Sequence, residues 1–554
     1  MIFRPALAGL AALAALATAS PAVADTLIFN IDGIRIDEED KIDRFNAMLV
    51  SDDGRILQIL DRGADQPRAE YAVDGKGRTV IPGLIDAHLH VMGVGFGALT
   101  LDLSGTQSLA EAQQAIADFA AANPQGQWII GRGWNQEIWG LGRFPTAAEL
   151  DAVIADRPVV MERVDGHATW VNSKAMELAG VTAQTRDPEG GRIERLPGSR
   201  APSGVFVDGA SPLIYNVVPE PRPRERDIAL LKAQEKLLSM GITAAADMGT
   251  TLDDWQTFRR AGDRGTLKLR IMSYAAGVEA METIGGPGPT PWLYGDRLRL
   301  NGVKLYLDGA LGSRGAWLKR PYSDDAGNTG LPLLRPDQLR NLMVRASMDG
   351  FQLAIHAIGD AANAEVLDAI GELGDTYTGD RRWRIEHAQV VDPADIAKFG
   401  EHGIIASMQP VHQTSDRLMA EARLGPDRLD GAYAWNSIKQ TGARLAFGSD
   451  APVESADPFP GWAVAFTRED SDGQPFGGWM PGERVTREEA LAGFSANAAY
   501  AGFAEGRFGR LVVGERADFV ILEQDPMLAS ASALRSFKVE QTWIGGEKVY
   551  DAAQ

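Results

Sequence analysis

The stretch Val80-Ile81-Pro82-Gly83-Leu84-Ile85-Asp86-Ala87-His88-Leu89-His90 decides how the chain is read. It is a short apolar run that ends in two histidines one residue apart. Alternate side chains of a β-strand share a face, so His88 and His90 are expected to leave one strand end side by side. Two neutral imidazoles held that way form half of a metal site, and zinc suits such ligands. Asp86 has the same parity and is expected to orient one imidazole. A lone His-x-His pair is a weak signal, because histidine takes many structural roles. Economy strengthens it: the chain has only 7 histidines in 554 residues, and four of them close short apolar runs.

Outward from that stretch, comparable runs recur at 242–247, 269–274, 302–307, 352–356, 383–387, 404–408 and 444–450, which with 84–90 makes eight. Helical patterns such as 224–240 and 361–373 lie between them. Strands alternating with helices predict an α/β chain with a closed parallel (β/α)8 TIM-like barrel. The first two runs are too far apart for one connection, so an inserted subdomain is expected over about 95–225. Its pattern predicts a helix near 108–122 and strands at 128–130 and 159–162. A stretch over 187–203, rich in glycine, proline and charge, reads as a mobile loop. At the chain ends, runs at 26–30, 47–50, 54–60, 517–522 and 539–544 read as strands, with Gly545-Gly546 as a hairpin turn. They predict a small β-sandwich drawn from both termini, over 25–82 and 508–554, around a barrel over 83–507.

The bulk numbers exclude several classes. With 45% hydrophobic and 23% charged residues this is an ordinary globular composition. The 75 acidic against 55 basic residues give a net charge of -20, which argues against nucleic acid and anionic membrane surfaces as partners. There is no cysteine, hence no disulfide, no thiolate ligand and no acylated cysteine. Residues 1–24 read as a signal peptide: Arg4, an apolar run over 6–17, then Ala22-Val23-Ala24 as a small-x-small cleavage site. The run is shorter than the ~20 residues of a spanning helix, so export to a bacterial periplasm or beyond is expected rather than membrane anchoring. The expected partner is a small-molecule substrate. A homodimer stays open.

In such a barrel the active site lies at the carboxyl ends of the strands, and the polar exceptions fall there. The first run ends in His88 and His90, the fifth in His356, the sixth in His387 and the eighth in Asp450, while the fourth carries Lys304. A catalytic metal acidifies water and polarises a carbonyl, provided the protein leaves a coordination position open. Asp450 is placed to hold that water and shuttle its proton. Lys304 could ligate only if neutral and carboxylated by carbon dioxide; the alternative is a salt bridge with Asp308. His167, in the insert, either contacts the substrate carbonyl or packs beside Trp170. His412 either contacts substrate or packs in its loop, and His402 reads as a helix end before a glycine cap. Trp134, Trp139, Trp170, Trp317 and Trp462 either line an apolar pocket or pack within loops.

Residues 82–90 (PGLIDAHLH), 165–175 (DGHATWVNSKA), 303–314 (VKLYLDGALGSR), 356–360 (HAIGD), 385–388 (IEHA) and 448–453 (GSDAPV) carry a resemblance to a known family. The chain resembles the amidohydrolase superfamily, in particular amidohydrolase family 3, the YtcJ-like group related to N-substituted formamide deformylase. The likeness covers essentially everything after residue 24. It implies a metal-dependent hydrolase that cleaves a C–N bond other than a peptide bond, by metal-activated hydroxide. It further implies one or two divalent ions, zinc by ligand type although manganese, iron or cobalt suit the same ligands. His88, His90 and Asp450 would hold the first ion, His356 and His387 the second, with N6-carboxylated Lys304 between them. Asp450 and His167 would be catalytic, and His167, Trp170, His412 and Arg314 would face the substrate. An ester, lactone or carbamate hydrolase at the same site, or a non-catalytic exported binder, remains an alternative.

Overall fold

In the computed structural model, which describes residues 25–37 and 41–553, eight parallel strands make one sheet. They are β1 (Leu84–Leu89), β2 (Ile242–Thr250), β3 (Arg270–Ala276), β4 (Leu298–Tyr306), β5 (Gln352–Ala357), β6 (Arg384–His387), β7 (Ile405–Met408) and β8 (Arg444–Phe447). They pair in chain order from β1 to β8. The seam between the two end strands is bridged by the chain that follows β8. Asp450 N donates to His88 O at 2.7 Å, and His90 N to Ala451 O at 2.8 Å. All six residues of β1 are buried, as in a parallel sheet covered on both faces. The expected strands are all present with shifted ends. β8 stops at Phe447 because Gly448 lies against the backbone of His88, where a Cβ would come within 2.5 Å of its nitrogen.

The opening stretch divides at Gly83. Thr79–Pro82 belongs to a different sheet, and Gly83 N donates to Asp518 O at 2.9 Å before β1 begins. A Cβ on Gly83 would lie 2.4 Å from Thr243 Oγ1, so only glycine permits the close passage into the barrel. The outer sheet has six strands, ordered Glu547–Asp551, Val539–Ile544, Phe519–Leu522, Thr79–Pro82, Asp32–Ile36 and Ile42–Phe45. Its middle joins the two ends of the chain, Phe519 pairing with Pro82 and Leu522 with Thr79. A further four-stranded sheet comes from residues 26–74 alone. Met48, Val50 and Ile56 of that sheet share one apolar cluster with Val80, Phe519 and Trp543 of the six-stranded one. Gly545 and Gly546 turn the last hairpin with φ of 59° and 71°.

Between β1 and β2 lies the insert, a six-stranded sheet ordered Gly191–Arg195, Pro202–Asp208, Ala168–Val171, Val159–Arg163, Ile129–Trp134 and Leu101–Asp102. The helix Leu109–Ala122 starts where expected, with Ser108 Oγ accepting from Glu111 N at 3.2 Å. The stretch 187–203 differs from expectation. Instead of a loop it contributes a strand to an antiparallel hairpin, Ile193 opposite Phe206. Ile193 and Phe206 are buried, and that burial outweighs the turn-forming composition. Residues 1–24, read as a signal peptide, lie outside the described residues. Among the described residues no helix is long and apolar enough to cross a membrane.

Candidate metal centre

The carboxyl end of the barrel gathers the imidazoles. Ring centroids are 5.7 Å apart for His88 and His90, and 4.6 Å apart for both His88–His387 and His356–His387. Asp450 meets them from beyond β8, in the left-handed region at φ 60°. Its Oδ1 lies 3.4 Å from His88 Nε2 and 3.2 Å from His90 Nε2. Its Oδ2 lies 3.8 Å from His412 Nε2. Two three-residue groups therefore have ligand atoms within 4.8 Å of one another: His88–His90–Asp450 and His387–His412–Asp450. The second differs from the expected pairing of His387 with His356. His356 still adjoins His387, but its Nε2 also lies 3.4 Å from Asp308 Oδ1.

Hydrogen bonds behind the rings fix which nitrogen faces inward. His88 Nδ1 donates to Glu386 Oε2 at 2.6 Å, and His387 Nδ1 to Gln409 Oε1 at 2.9 Å. Both rings then present an Nε2 lone pair to the centre, the arrangement of metal-bound histidines. His412 is different. Gln389 Nε2 donates to its Nδ1 at 2.9 Å, so in this orientation of the amide His412 Nε2 carries the proton. His412 is thus a donor toward the centre and His88 and His387 are acceptors. Nε2 of His356 and of His412 is buried with no hydrogen-bond partner. Inward lone pairs, an orphaned ring nitrogen and a shared carboxylate fit a divalent cation.

The electrostatics rest on a buried chain. Arg384 reaches Glu386 at 2.7 and 3.0 Å and Ala87 O at 2.7 Å, and Glu386 in turn accepts from His88. Burial alone would raise the Glu386 carboxyl, but Arg384, His88 and Lys304 outweigh it and hold it at about 2. Burial, then the Lys304 charge, pushes His88 down to about 3, so it is neutral and able to ligate. Burial opposes the charge on Asp450 too, yet His88, His90 and His387 keep its carboxyl well below the usual range. Lys304, 1% exposed, puts Nζ 3.3 Å from His88 Nε2 and 4.7 Å from the Tyr306 ring centre. Burial lowers it to about 8 against the pull of Glu386 and Asp450.

Several expectations are corrected. Lys304 does not pair with Asp308, whose carboxylate accepts from the backbone nitrogens of Trp317, Ile358 and Gly359. Asp86 orients no imidazole. It accepts from the backbone nitrogens of His88 and Ser449 and from the Ser449 hydroxyl, and so ties the barrel seam. Trp170 is fully buried in the insert's core, its indole N–H donating to Thr146 O at 2.9 Å, and it offers substrate no surface. Trp134 and Trp462 are fully buried as well, and Trp139 packs on Trp170. Arg314 pairs with Asp324 at 3.0 Å. His402, by contrast, caps the helix Ala397–Glu401 as expected, with Gly403 following at φ 61°.

His167 comes from the insert to the mouth, its ring 5.3 Å from that of His356. Its Nδ1 bonds Asp208 Oδ1 at 2.6 Å. Burial disfavours its charge, but Asp208, with Asp165 and Asp308, raises it to about 9. Sequence reading missed Glu386, Gln389, Gln409 and Asp208. Glu386 had a signal, a charge inside an apolar strand two residues from Arg384. Strand alternation would place it opposite His387, but His387 and Ala388 take φ of 74° and 42° and abandon that alternation.

Residues 72–550 match the family model described as "Amidohydrolase family". The chain is 32% identical to YtcJ of Bacillus subtilis (strain 168), which carries the name of an amidohydrolase, over 92% of this chain and 96% of that protein. It is 28% identical to N-substituted formamide deformylase of Arthrobacter pascens over 95% of this chain and 98% of that one. An uncharacterized metal-dependent hydrolase from Pyrococcus horikoshii OT3 superposes with a TM-score of 0.74 at 25% identity, covering 92% of this chain and 99% of that structure.

Proposed function

We propose that this chain, which belongs to the amidohydrolase family and is a hydrolase, cleaves the C–N bond of an amide in a small molecule. The observation that carries the proposal is the convergence of His88, His90 and Asp450, with buried Lys304 Nζ 3.3 Å from His88 Nε2, at the carboxyl end of the barrel. One relative is named for removing formyl groups from N-substituted formamides, which supports an amide here.

His88, His90, His356, His387 and Asp450 would hold the metal, zinc by ligand type, and a second ion is accommodated if Lys304 is carboxylated. When bound, such an ion acidifies water and polarises the substrate carbonyl. Asp450 then takes the proton from the attacking water. The same carboxylate would return that proton to the leaving nitrogen. Water adds to the carbonyl carbon, the C–N bond breaks, and a carboxylate and an amine leave. Protonated His167 and the Nε2–H of His412 would donate to the carbonyl oxygen as negative charge develops there. Lys304 near pH 8 keeps a neutral fraction, which carboxylation by carbon dioxide requires. Residues 1–24 support export as part of the same proposal.

Purified protein with its metal content measured is to be assayed against N-acyl amino acids, N-alkyl formamides, aryl esters and lactones. Hydrolysis of amides, abolished by chelation and restored by zinc, is expected. Turnover of esters or lactones alone overturns the C–N assignment. A metal-loaded protein that turns over none of the amides overturns the amide assignment.

A further inference from the structure

Arg132, on the insert strand Ile129–Trp134, reaches the end of the helix Val91–Gly97 that follows His90. A Cβ placed on Gly97 of that helix would be 3.5 Å from Arg132 Cδ and 4.0 Å from Pro452, two residues after Asp450. The Nε and Nη2 atoms of Arg132 are buried and bonded to nothing. Other insert and rim arginines are spent: Arg163 on Gln136 and Asp165, Arg423 on Asp324 and Glu137. The carboxylates around Arg132 bond other groups: Asp102, its partner on the neighbouring strand, accepts from Ser104 N at 2.9 Å. Glu162, its partner across the strand pair, meets the Tyr215 hydroxyl at 3.3 Å. Glu454, near enough to feel the Arg132 charge, accepts from Ser415 Oγ at 2.5 Å, and burial pushes it up to about 7.

A guanidinium is a planar fork that stays charged and matches a carboxylate through two parallel hydrogen bonds. Leaving two buried N–H groups of such a fork without an acceptor is unfavourable unless a ligand completes them. We propose that Arg132 is an anion subsite beside the metal centre, and that the substrate is an amide carrying a carboxylate away from the scissile bond. The substrate class rests on the amide-hydrolase reading above; the subsite itself does not. The carboxylate fixes the substrate's orientation while the carbonyl meets His167 and His412. Because the fork lies on the insert, the insert rather than the barrel sets which amides are accepted.

The test compares binding, by calorimetry to the protein as isolated, of N-acetylglycine, N-acetyl-β-alanine and N-acetyl-γ-aminobutyrate with their three uncharged primary amides. At least one acid is expected to bind wild-type protein about 10-fold or more tighter than its own amide, the advantage of a charge-assisted fork. Arg132→Gln should abolish that ratio, and Arg132→Lys, which keeps stem and charge, should retain part of it. Equal binding of every acid and its amide by wild-type protein overturns the subsite, as does a preference that survives in Arg132→Gln, which would mean the acid binds the metal. If the binding preference behaves as stated but no compound is turned over, the subsite stands and the amide reading fails.

Discussion

Glu386 and Asp208 set the tautomer of His88 and the charge of His167 through single hydrogen bonds. Glu386→Gln removes the carboxylate that fixes the His88 tautomer, and metal affinity should fall on the order of 10–100-fold in a competition titration. Asp208→Asn removes the partner that raises His167 to about 9. The sign follows from linkage: a histidine raised on folding contributes stability fully present below about 6.5 and lost as pH rises through its folded value. Proton NMR should show His167 titrating near 9 in the wild type and well below that in the variant, because burial then acts without the Asp208 charge. Asp450→Asn keeps an oxygen toward the ion but cannot move a proton. Metal content should stay near normal while amide hydrolysis falls on the order of 100-fold or more. At this scale the candidate ligands were legible because histidine is rare here and closes apolar runs. The residues behind them were not, since a glutamine or an aspartate far along the chain has no period that points at a ring.

Elements carry the site only as precisely as they pack. The helix Val91–Gly97, which begins one residue after His90, lies directly on the helix Pro223–Ser239. A Cβ on Gly95 would sit 2.1 Å from Ala229 O, so Gly95→Ala must push the two helices apart. We expect a loss of about 1–3 kcal/mol, the usual cost of overpacking, read from the denaturant midpoint. The strand and helix pattern was visible because burial imposes periods of 2 and 3.6 on the sequence. It failed at 187–203, where charge and turn residues suggested a loop. There the strand Gly191–Arg195 owes its existence to pairing with Pro202–Asp208, and pairing leaves little trace in a short, half-polar segment.

At the scale of the molecule, the barrel is held to the outer sheets by contacts between distant residues. Arg270 on β3 forks onto Asp518 at 2.6 and 2.8 Å. Glu515 ties the chain leaving the barrel, accepting from Gly506 N and Arg510 N at 3.1 Å each. Burial pushes its carboxyl up to about 7 against those two hydrogen bonds. A carboxyl raised on folding favours the folded state most below its unfolded value of ~4.5, and that favour is lost as pH rises through about 7. Glu515→Gln, which cannot ionise, should therefore gain on the wild type by on the order of 2 kcal/mol between pH 5 and 8, whatever its offset at pH 5. Paired urea titrations at the two pH values check this; a constant difference overturns it. The sequence by itself determined the alternating architecture, the rarity and placement of the histidines, and the absence of thiol chemistry, because these are properties of order and composition. Only the tertiary structure decided that Glu386 stands behind His88, that His412 comes near Asp450, that Trp170 is buried, and that Nε and Nη2 of Arg132 lack an acceptor. Those are relations between strands and loops far apart in the chain, and a hydrogen bond exists only once the fold has brought both of its ends together.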